Sequence, residues 1–551
     1  MKPIAIGTDD FREIIESNSL FIDKTLFIKE LIDDTSKVLL FPRPRRFGKS
    51  LNMSMLKYYF DINLNSKYLF KGLNISKCSK LYLDEMNKYP VVSLTLKECK
   101  KATYEEFLMS FKTLISNLYY NYQFLLDSPL IKEVDKEYFK RCVNEEEEKQ
   151  LSLALAKLIN MLEIYYKSQV IVLLDEYDAP ILEGYLKGYY DNIINFMREV
   201  FSSTFKGNLS LKKGVITGIL RVSKESMFSG ANNINVYNIT DSNFSTYFGF
   251  TEEEVKETLA EYGLSDKFLE VKKWYDGYLF SRTTIYNPWS ILNFLANHEH
   301  ILKVYWANTG GTDLLQDLIY STKGNTNLLE TFHTLLEKGS ITGIDLDLEM
   351  NLPSLNNNSN TVWTLFMLSG YLTPKDLVGN PKNIALRIPN LEIRENLENI
   401  CVNWFKDNIK YNSLFEKYLF NNDMESFKNT FNGIVLESFS YYDVGLDNGE
   451  NFYHAFVMGL LYSGSNNFII KSNRESGFGR YDLILKPRNE DIKYAYIIEF
   501  KAIENGNFEE TVEKAFKQIE DKDYVAEVKD YDVTKIVIVF KGKECRIETR
   551  K

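Results

Sequence analysis

The fold of the first half of the chain is decided by residues 38–50, which read VLLFPRPRRFGKS. An apolar run, residues 38–41, is broken by prolines and followed by Gly48, Lys49, Ser50 and a helical pattern. A strand, a tight loop, Gly-Lys-Ser and a helix form a phosphate-binding loop, where backbone N–H groups and the helix dipole face an anion. We predict that Lys49 contacts the β- and γ-phosphates of a nucleotide and that Ser50 holds Mg²⁺.

One position of this loop departs from the usual pattern. The pattern GxxxxGKS/T begins with glycine, and this chain has Arg43 there. Because a lone Gly-Lys-Ser also arises by chance, the loop by itself does not establish nucleotide binding. The residues that complete such a nucleotide site have to come from elsewhere in the chain.

The composition excludes several classes of protein. The 551 residues are too many for one core, and 44% hydrophobic with 26% charged residues is typical of globular domains. The net charge of −10 argues against a protein that coats nucleic acid non-specifically, but permits a local basic groove. Five scattered cysteines without CxxC predict neither a zinc cluster nor a disulfide framework, and they suit the cytoplasm. No signal peptide or apolar run of about 20 residues is present, so we expect no membrane span.

Two carboxylates follow a strongly apolar segment. Residues 170–174, VIVLL, read as a strand buried on both faces, and Asp175 and Glu176 come directly after it. Ligands of open α/β sheets bind beyond the carboxyl ends of strands. We therefore predict that Asp175 coordinates Mg²⁺ as a Walker-B carboxylate and that Glu176 polarises the attacking water. The alternative is a strand that ends at solvent with ordinary acidic residues, and the phosphate-binding loop upstream favours the nucleotide site.

A further buried strand is predicted at residues 213–220, beside the strand that ends at Asp175. Its end places Thr217 or Arg221 near the γ-phosphate or the attacking water. An arginine after a strand is alternatively a surface salt-bridge partner. The alternation of strands and helices predicts an α/β fold with a mainly parallel sheet.

The middle of the chain is less specific. Residues 255–335 are expected to be mostly helical, and residues 363–373 suggest a winged-helix-like module, a small helix followed by a hairpin. Two aromatic stretches, residues 274–278 and 287–289, are interpreted as packing joints, with base stacking as the alternative.

The last hundred residues change character. Their pattern predicts the order helix, three strands, helix and strand, at residues 451–462, 468–471, 480–485, 494–501, 509–523 and 535–540.

Asp482 and Glu499 fall on two successive strands of this region, which are able to pair antiparallel. Lys501 shares a sheet face with Glu499, because the two are at positions i and i+2. Mg²⁺ relieves the repulsion of two carboxylates in an apolar sheet. We predict a magnesium site made by Asp482, Glu499 and the carbonyl of Phe500, with Lys501 acting on a metal-bound water that attacks a phosphodiester. The alternative is an exposed strand whose polar face carries an ion pair.

This arrangement of Asp482, Glu499 and Lys501 on helix, three strands, helix and strand resembles the PD-(D/E)XK nuclease superfamily. The surrounding sequence is similar to the nuclease domain that often follows an AAA-ATPase-like domain in bacterial proteins, notably at residues 452–456, 474–482 and 498–501. The first half resembles that ATPase-like partner at residues 43–50, 174–178, 217–218 and 287–290. In that family arginine occupies the first loop position, so the resemblance makes Arg43 a family trait.

The resemblance implies further site residues. The residues predicted to contact the nucleotide and its Mg²⁺ all lie in the first half: Arg46, Phe47, Gly48, Lys49, Ser50, Asp175, Thr217 and Arg221. What the arginines do there does not follow from the resemblance. In the nuclease domain it adds Glu475 as an accessory carboxylate, and His454 and Gln518 from the flanking helices. From the local sequence, Gln518 could equally face solvent and His454 could equally be a core histidine.

The sequence thus predicts an AAA-like P-loop ATPase domain at 1–250, a helical and winged-helix-like middle at 251–425 and a restriction-endonuclease-like α/β domain at 426–551. The expected function is an ATPase whose nucleotide state controls Mg²⁺-dependent cleavage of DNA or RNA. The alternative is a nucleotide-dependent switch or interaction protein whose nuclease fold does not cleave. A homo-oligomer is a further expectation, because AAA-type sites often use an arginine from a neighbouring subunit.

Overall fold

The computed structural model is of mixed α/β type and describes residues 1–222, 234–306, 331, 335–336, 338–350, 352–356, 358–376, 381–408, 412–441, 467–472, 475–476, 479–480, 482–489, 492–503, 506–521, 525, 528–541 and 544–551. The chain forms two compact units, residues 1–310 with 342–393 and residues 311–341 with 394–551. The domain limits at 250 and 425 stay a prediction. Among the described helices, none is long and apolar enough to cross a membrane.

The first unit is built on a five-stranded sheet in which all pairs are parallel. Its strands are β1 (Val38–Pro42), β2 (Val91–Thr95), β3 (Val170–Asp175), β4 (Leu211–Gly218) and β5 (Ile234–Val236). The spatial order is β2-β3-β4-β1-β5. The predicted parallel sheet and the pairing of β3 with β4 are both confirmed.

Nine helices surround or connect these strands in the described part of the chain before β5. They are α1 (Phe11–Glu16), α2 (Leu26–Asp33), α3 (Lys49–Phe60), α4 (Lys80–Leu83), α5 (Tyr104–Tyr120), α6 (Glu133–Val143), α7 (Ala154–Tyr166), α8 (Ala179–Lys187) and α9 (Tyr190–Phe205). Short 3₁₀ turns occupy Lys67–Phe70, Asn74–Lys77, Lys97–Cys99, Gln123–Asp127 and Leu151–Leu153. All six residues of β3 are buried, as the apolar sequence of a central parallel strand requires.

The phosphate-binding loop connects β1 to α3. Gly48 has a left-handed φ of 79° and precedes the first residue of α3. This conformation is open to glycine without steric cost, and it turns the chain from the strand end into the helix. On the other side, Phe41 of β1 packs against Phe27 and Phe248, which fixes the strand from which the loop starts.

The remainder of the first unit contains more β-structure than its sequence predicts. Strands β6 (Phe250–Thr251), β7 (Tyr278–Phe280) and β8 (Thr283–Tyr286) form an antiparallel sheet between helices α10 (Glu252–Glu261), α11 (Phe268–Tyr275) and α12 (Pro288–Ala296). A 3₁₀ turn, Ser265–Lys267, joins α10 and α11. Strands of two to four residues are too short to show an alternating pattern, so the sequence did not predict this sheet beside the helices that it did predict.

A helix and two antiparallel strands occur in the region of the predicted module, but the second strand lies beyond its predicted end at residue 373. After β9 (Ser340–Ile344) and the 3₁₀ turn Leu352–Asn356 come α13 (Ser359–Ser369), β10 (Thr373–Pro374) and β11 (Ile384–Arg387). Strands β10 and β11 pair antiparallel. The long helix α14 (Leu391–Asn408) follows.

The second unit contains another five-stranded sheet, of order β12-β15-β16-β17-β18. Its elements are α15 (Asn412–Phe420), α16 (Met424–Tyr441), β12 (Phe468–Ser472), β13 (Glu475–Ser476), β14 (Gly479–Arg480), β15 (Leu483–Pro487), β16 (Tyr494–Ala502), α17 (Phe508–Asp521), β17 (Asp532–Lys541) and β18 (Glu544–Arg550). β15 and β16 are antiparallel, as predicted, and β16 and β17 are parallel. The sequence did not predict β18, and the helix predicted at 451–462 lies outside the described residues.

Alternation along β16 separates two apolar clusters. Ile498 and Phe500 pack with residues of α15 and α16, whereas Ile497 packs with residues of α17. Because side chains alternate in a strand, Glu499 lies on the face that α17 covers. Ile498 and Phe500 therefore face away from Glu499.

Candidate functional site

Lys49 lies at the start of α3, directly after the phosphate-binding loop. Its ammonium group is buried and donates hydrogen bonds to the loop carbonyl oxygens of Arg43 at 2.9 Å and Pro44 at 2.8 Å. Burial lowers the pKa of Lys49, and the nearby carboxylate of Asp175 acts in the opposite direction. The amine is therefore held inside the loop, in a position that suits a bound phosphate.

Asp175 is the point where three elements meet. It ends β3, and its Oδ2 atom accepts a hydrogen bond from Ser50 Oγ on α3 at 2.6 Å. Its Oδ1 atom accepts a hydrogen bond from the Thr217 hydroxyl on the neighbouring strand β4. The structure thus brings together three predicted site residues that are far apart in sequence.

Glu176 follows Asp175 at the strand end and is half-buried. Its φ of 50° is left-handed, which is uncommon for a non-glycine residue and is found often at functional sites. Its backbone N–H donates to Asp175 Oδ1 at 3.0 Å. Because of this left-handed conformation, the Glu176 side chain does not continue the alternating directions of the strand residues before it.

Arg43 has a structural place inside the first unit. Its side chain is fully buried, and its Nη1 atom donates to the carbonyl oxygens of Pro42 and Tyr237. Its backbone N–H donates to the Gly218 carbonyl at 2.9 Å, which continues the pairing of β1 with β4. Burial lowers the pKa of Arg43 to about 9. The residue that replaces the usual glycine thus joins β1 to its neighbours.

Arg46 and Phe47, in the same loop, have opposite surroundings. Phe47 is buried with its ring centre 4.9 Å from that of Tyr278 and 5.3 Å from that of Phe280. Arg46 is exposed, has a left-handed φ of 67°, and lies over the Trp289 ring with 4.1 Å between the guanidinium carbon and the ring centre. Phe47 anchors the loop, and Arg46 is left at its surface.

Arg221 follows β4 and forms an ion pair. Its Nη2 atom lies 2.6 Å from Glu349 Oε1, and its side chain is largely buried. Its backbone carbonyl accepts a hydrogen bond from Met350 N–H at 3.1 Å. The structure thus shows the salt bridge that the sequence left open, and a contact of Arg221 with a nucleotide stays a prediction.

Asp178 belongs to the sequence motif at 174–178, from which no role for it was predicted. It is buried, and its Oδ2 atom accepts hydrogen bonds from Ile219 N–H at 2.8 Å and Leu220 N–H at 2.7 Å. Burial raises the pKa of Asp178 to about 6. A Cβ atom at Gly218 would lie 2.6 Å from Asp178 Oδ1, so only glycine fits there. Asp178 fixes the chain just after Thr217, and the short spacing to Asp175 was the available signal.

The sequence did not predict any role for Glu392. It is fully buried and accepts hydrogen bonds from Ser290 Oγ at 2.7 Å and from the N–H groups of Tyr305 at 2.8 Å and Trp306 at 2.9 Å. It thereby holds the start of α12, where Trp289 lies. The predicted packing role of residues 287–289 agrees with this arrangement, but a glutamate about 100 residues away gave no signal in the sequence.

Asp482 and Glu499 come together in the second unit. The β15–β16 register pairs Leu483 with Ile498, and its next step puts Asp482 opposite Glu499. Asp482 lies at a bend just before β15, one residue outside the strand in which it was predicted. Its Oδ2 atom accepts a hydrogen bond from Phe500 N–H at 2.8 Å.

Lys501 and Gln518 both contact Glu499, which is buried. Lys501 Nζ lies 3.0 Å from Glu499 Oε1, and Gln518 Nε2 donates to the same oxygen from α17. Gln518 therefore contacts the carboxylate, as the resemblance implied. The backbone of Glu475 pairs with that of Arg480 between β13 and β14, and His454 lies outside the described residues.

The two groups of residues fit the ligands that the sequence predicts. Ser50 and Asp175 offer the hydroxyl and carboxylate oxygens that hold Mg²⁺ beside a nucleotide, and Lys49 offers the phosphate-binding amine. Asp482 and Glu499 offer only oxygen ligands, which Mg²⁺ prefers. Among the described side chains, no group of three or more His, Cys, Asp or Glu could hold a metal ion. Any metal in the second unit would therefore need waters or backbone oxygens as well.

Comparison with known proteins gives two family matches and one relative. The relative, "Uncharacterized protein in vnfD 5'region" from Azotobacter chroococcum mcd 1, is 25% identical over 402 residues, which are 72% of this chain and 69% of that protein. Residues 5–228 match the family described as predicted AAA-ATPase, and residues 448–550 match the PD-(D/E)XK nuclease superfamily. The chain therefore combines a predicted AAA-ATPase domain with a PD-(D/E)XK nuclease superfamily domain, the architecture that its sequence predicted.

Proposed function

We propose that this protein binds and hydrolyses ATP and that its nucleotide state controls Mg²⁺-dependent cleavage of DNA or RNA by the second domain. The observation that carries this proposal is the convergence of Ser50, Asp175 and Thr217 at the ends of α3, β3 and β4. Three unrelated segments supply one oxygen-rich site next to a buried lysine, which a purely structural sheet edge does not require.

In the ATP site the residues have distinct tasks. Lys49 binds the β- and γ-phosphates, and Ser50 and Asp175 hold the magnesium ion that neutralises phosphate charge. Glu176 accepts a proton from the attacking water, and Thr217 orients Asp175 through its hydroxyl. Asp178 keeps the end of β4 in place through two backbone hydrogen bonds.

In the nuclease domain the residues surround one buried carboxylate. Asp482 and Glu499 hold Mg²⁺, which supplies charge stabilisation and an acidified water. Lys501 positions that water, and Gln518 fixes the Glu499 carboxylate from α17. Hydrolysis then forms a bond between the water oxygen and phosphorus and breaks the bond from phosphorus to the leaving oxygen, which takes the proton that the water gives up.

The test measures both reactions of the full-length protein. Cleavage of single- and double-stranded DNA and RNA is followed with Mg²⁺ or Mn²⁺, in the presence of ATP, ADP or a non-hydrolysable ATP analogue. We expect the cleavage rate to differ at least about 10-fold between ATP and ADP, a coupling of about 1.4 kcal/mol. Glu176→Gln should hold the enzyme in its ATP state, with cleavage locked at the ATP level.

Two results would overturn parts of the proposal. Equal cleavage with every nucleotide would refute the coupling and leave two independent activities. No cleavage under any condition, with ATP still hydrolysed, would show that the second domain is a binding module, as the switch hypothesis states. In that case a gel-shift with the same nucleic acids, with ATP and with ADP, shows what it binds.

A further inference from the structure

Arg46 occupies an unusual place in the phosphate-binding loop. The loop contains three arginines, and the two others that flank Pro44 are less exposed than Arg46. Arg43 is buried with its guanidinium turned to backbone carbonyls, so it is unable to reach a ligand. Arg46 projects outward three residues before Lys49. A second cation thus stands at the same loop as the lysine that binds phosphate.

The guanidinium group of Arg46 lies over the face of the Trp289 ring. The guanidinium carbon lies 4.1 Å from the ring centre, well inside the range of a cation–π contact. A cation–π contact is an electrostatic attraction to the ring face and does not itself require a hydrogen bond. Among the residues that the structure describes, no carboxylate forms an ion pair with Arg46. The side chain is therefore oriented without its donors being used.

The charged groups that act on Arg46 include the predicted base. Glu176, the predicted base, attracts the guanidinium, as does Asp9, and Arg45 repels it. Desolvation against Trp289 and the loop lowers the pKa of Arg46, but arginine stays protonated at neutral pH. Arg46 thus interacts electrostatically with Glu176 and precedes Lys49 by three residues in the same loop.

Trp289 is itself held firmly. Its indole N–H donates to the Tyr305 carbonyl at 3.1 Å, and the adjacent Ser290 hydroxyl donates to buried Glu392 at 2.7 Å. Asn287 caps α12 by accepting from Ser290 N–H at 3.3 Å. The ring that carries Arg46 is fixed by hydrogen bonds at both its indole and its helix end, which a residue used only to fill space would not need.

We propose that Arg46 is a catalytic residue that contacts the γ-phosphate of ATP from within the same chain, and that Trp289 is its positioning residue. This inference rests on the proposed ATPase function. Glu176 takes a proton from water while the water oxygen bonds to the γ-phosphorus. The bond to the β–γ bridging oxygen breaks, and its electron pair stays on ADP. Arg46 stabilises the charge on the γ-phosphoryl oxygens during that step. The site then needs no arginine from a neighbouring subunit.

The first test compares nucleotide affinities without catalysis. Binding of Mg²⁺ with a non-hydrolysable ATP analogue, and of Mg²⁺ with ADP, is measured by calorimetry for wild type and Arg46→Ala. We expect Arg46→Ala to weaken the triphosphate at least about 10-fold, the range of a charge-assisted hydrogen bond, and to change ADP less than about 2-fold. Equal losses for both nucleotides, or no loss, would overturn the proposal. Absence of any binding by wild type would instead overturn the ATPase function itself.

The second test addresses Trp289. Arg46→Ala should lower kcat for ATP hydrolysis by about 100-fold or more, and Trp289→Leu by about 2- to 30-fold, the range of a cation–π contact. Trp289→Phe keeps a ring and should restore most of the rate. In a double-variant cycle, Trp289→Leu should have no further effect once Arg46 is alanine. Arg12→Ala is the matched control, because Arg12 also lies over an aromatic ring, that of Tyr58 at 4.7 Å, but does not belong to residues 43–50. Independent effects of the two variants would show that Trp289 is only structural.

A mixing experiment separates action within one chain from action between chains. Lys49→Ala protein has an intact Arg46 but no phosphate-binding lysine, and Arg46→Ala has the reverse. If Arg46 acts within its own chain, equal mixtures stay as inactive as the separate variants. Recovery of ATP hydrolysis in the mixture would show that the arginine acts on a neighbour's site and would refute the proposal.

Discussion

Asp175 and Glu499 are both buried carboxylates, but they lie at different positions in their strands and have different hydrogen-bond partners. Asp175 ends a strand and accepts hydrogen bonds from the hydroxyls of Ser50 and Thr217, on a helix and on the neighbouring strand. Glu499 lies inside a strand, and its Oε1 atom contacts Lys501 in the same strand and Gln518 on one helix. The first carboxylate accepts hydrogen bonds from neutral hydroxyls, with the cation of Lys49 nearby, whereas the second is in direct contact with a cation.

This difference has a chemical consequence. Neutral hydroxyls orient the charge of Asp175 without cancelling it, so the site retains its attraction for a divalent cation. Lys501 offsets part of the charge of Glu499 before any metal binds. We therefore expect the two sites to fail separately and in different ways when single residues are changed.

The largest expected effect is at the first site. Lys49→Ala removes the amine that the loop carbonyls hold, and ATP affinity should fall by about 100-fold or more, since charged hydrogen bonds to phosphate are lost. Calorimetric titration with Mg²⁺-ATP measures it. Lys57→Ala, at the far end of α3, is the matched control. Unchanged affinity in Lys49→Ala would show that residues 43–50 are not the nucleotide site.

The next effect concerns the second site. Asp482→Asn and Lys501→Ala should each lower nucleic-acid cleavage by about 100-fold or more, the usual contribution of groups that hold or position a reacting water. ATP hydrolysis should stay unchanged, and both rates are measured on the same preparations. Lys535→Ala is the control. Lys535 lies on β17, and its Nζ atom is 3.1 Å from Oε1 of Glu520, on the helix α17 that also carries Gln518. Loss of ATP hydrolysis in either variant would contradict the separation of the sites.

A pH-dependent effect is expected at Asp178. Its folded pKa of about 6 lies above the ordinary value of 3.8, so the folded chain holds this proton more tightly than the unfolded chain. The resulting stability is fully present below about pH 4 and is lost as the pH rises to about 6. Lys49 is the cation that partly opposes this shift. Asp178→Asn does not titrate, so the stability of wild type relative to the variant should fall by about 2 kcal/mol between pH 4 and 7.

Urea unfolding of both proteins at several pH values measures this difference. A difference that rises with pH would mean that the ionised carboxylate is the stabilised form. The two backbone donors of Ile219 and Leu220 would then outweigh the cost of burial.

The smallest expected effect is at Arg221. Glu349 already neutralises its guanidinium, so Arg221→Ala should change ATP turnover less than about 3-fold. Steady-state ATP hydrolysis tests it, with Glu349→Gln as the matched variant that breaks the same pair. A loss of about 100-fold in Arg221→Ala, with Glu349→Gln near wild type, would instead confirm the sequence prediction that Arg221 contacts the nucleotide.

Much of the fold could be predicted from short patterns. The apolar run before Asp175 gave a buried parallel strand, and the spacing of Glu499 and Lys501 gave a shared face, because burial and alternation are local properties of a strand. The antiparallel sheet β6-β8-β7 was not predictable, since its strands have two to four residues. The contacts of Glu392 also left no local signal, because their partners lie about 100 residues away in the sequence. Strand β18 was not predicted either, although it pairs with β17 directly before it in the chain.

The sequence by itself determined the two domains, the loop with its lysine, the carboxylates at strand ends and the pair on β16. Those features depend on residue type, order and period, which the chain carries without folding. Only the tertiary structure decided that Arg43 is buried against backbone carbonyls while Arg46 lies over Trp289. Three arginines within four residues look equivalent in a sequence. Their different roles arise because packing desolvates one of them and gives another an aromatic support. Arg43 depends on Tyr237, 194 positions away, and Arg46 depends on Trp289, 243 positions away.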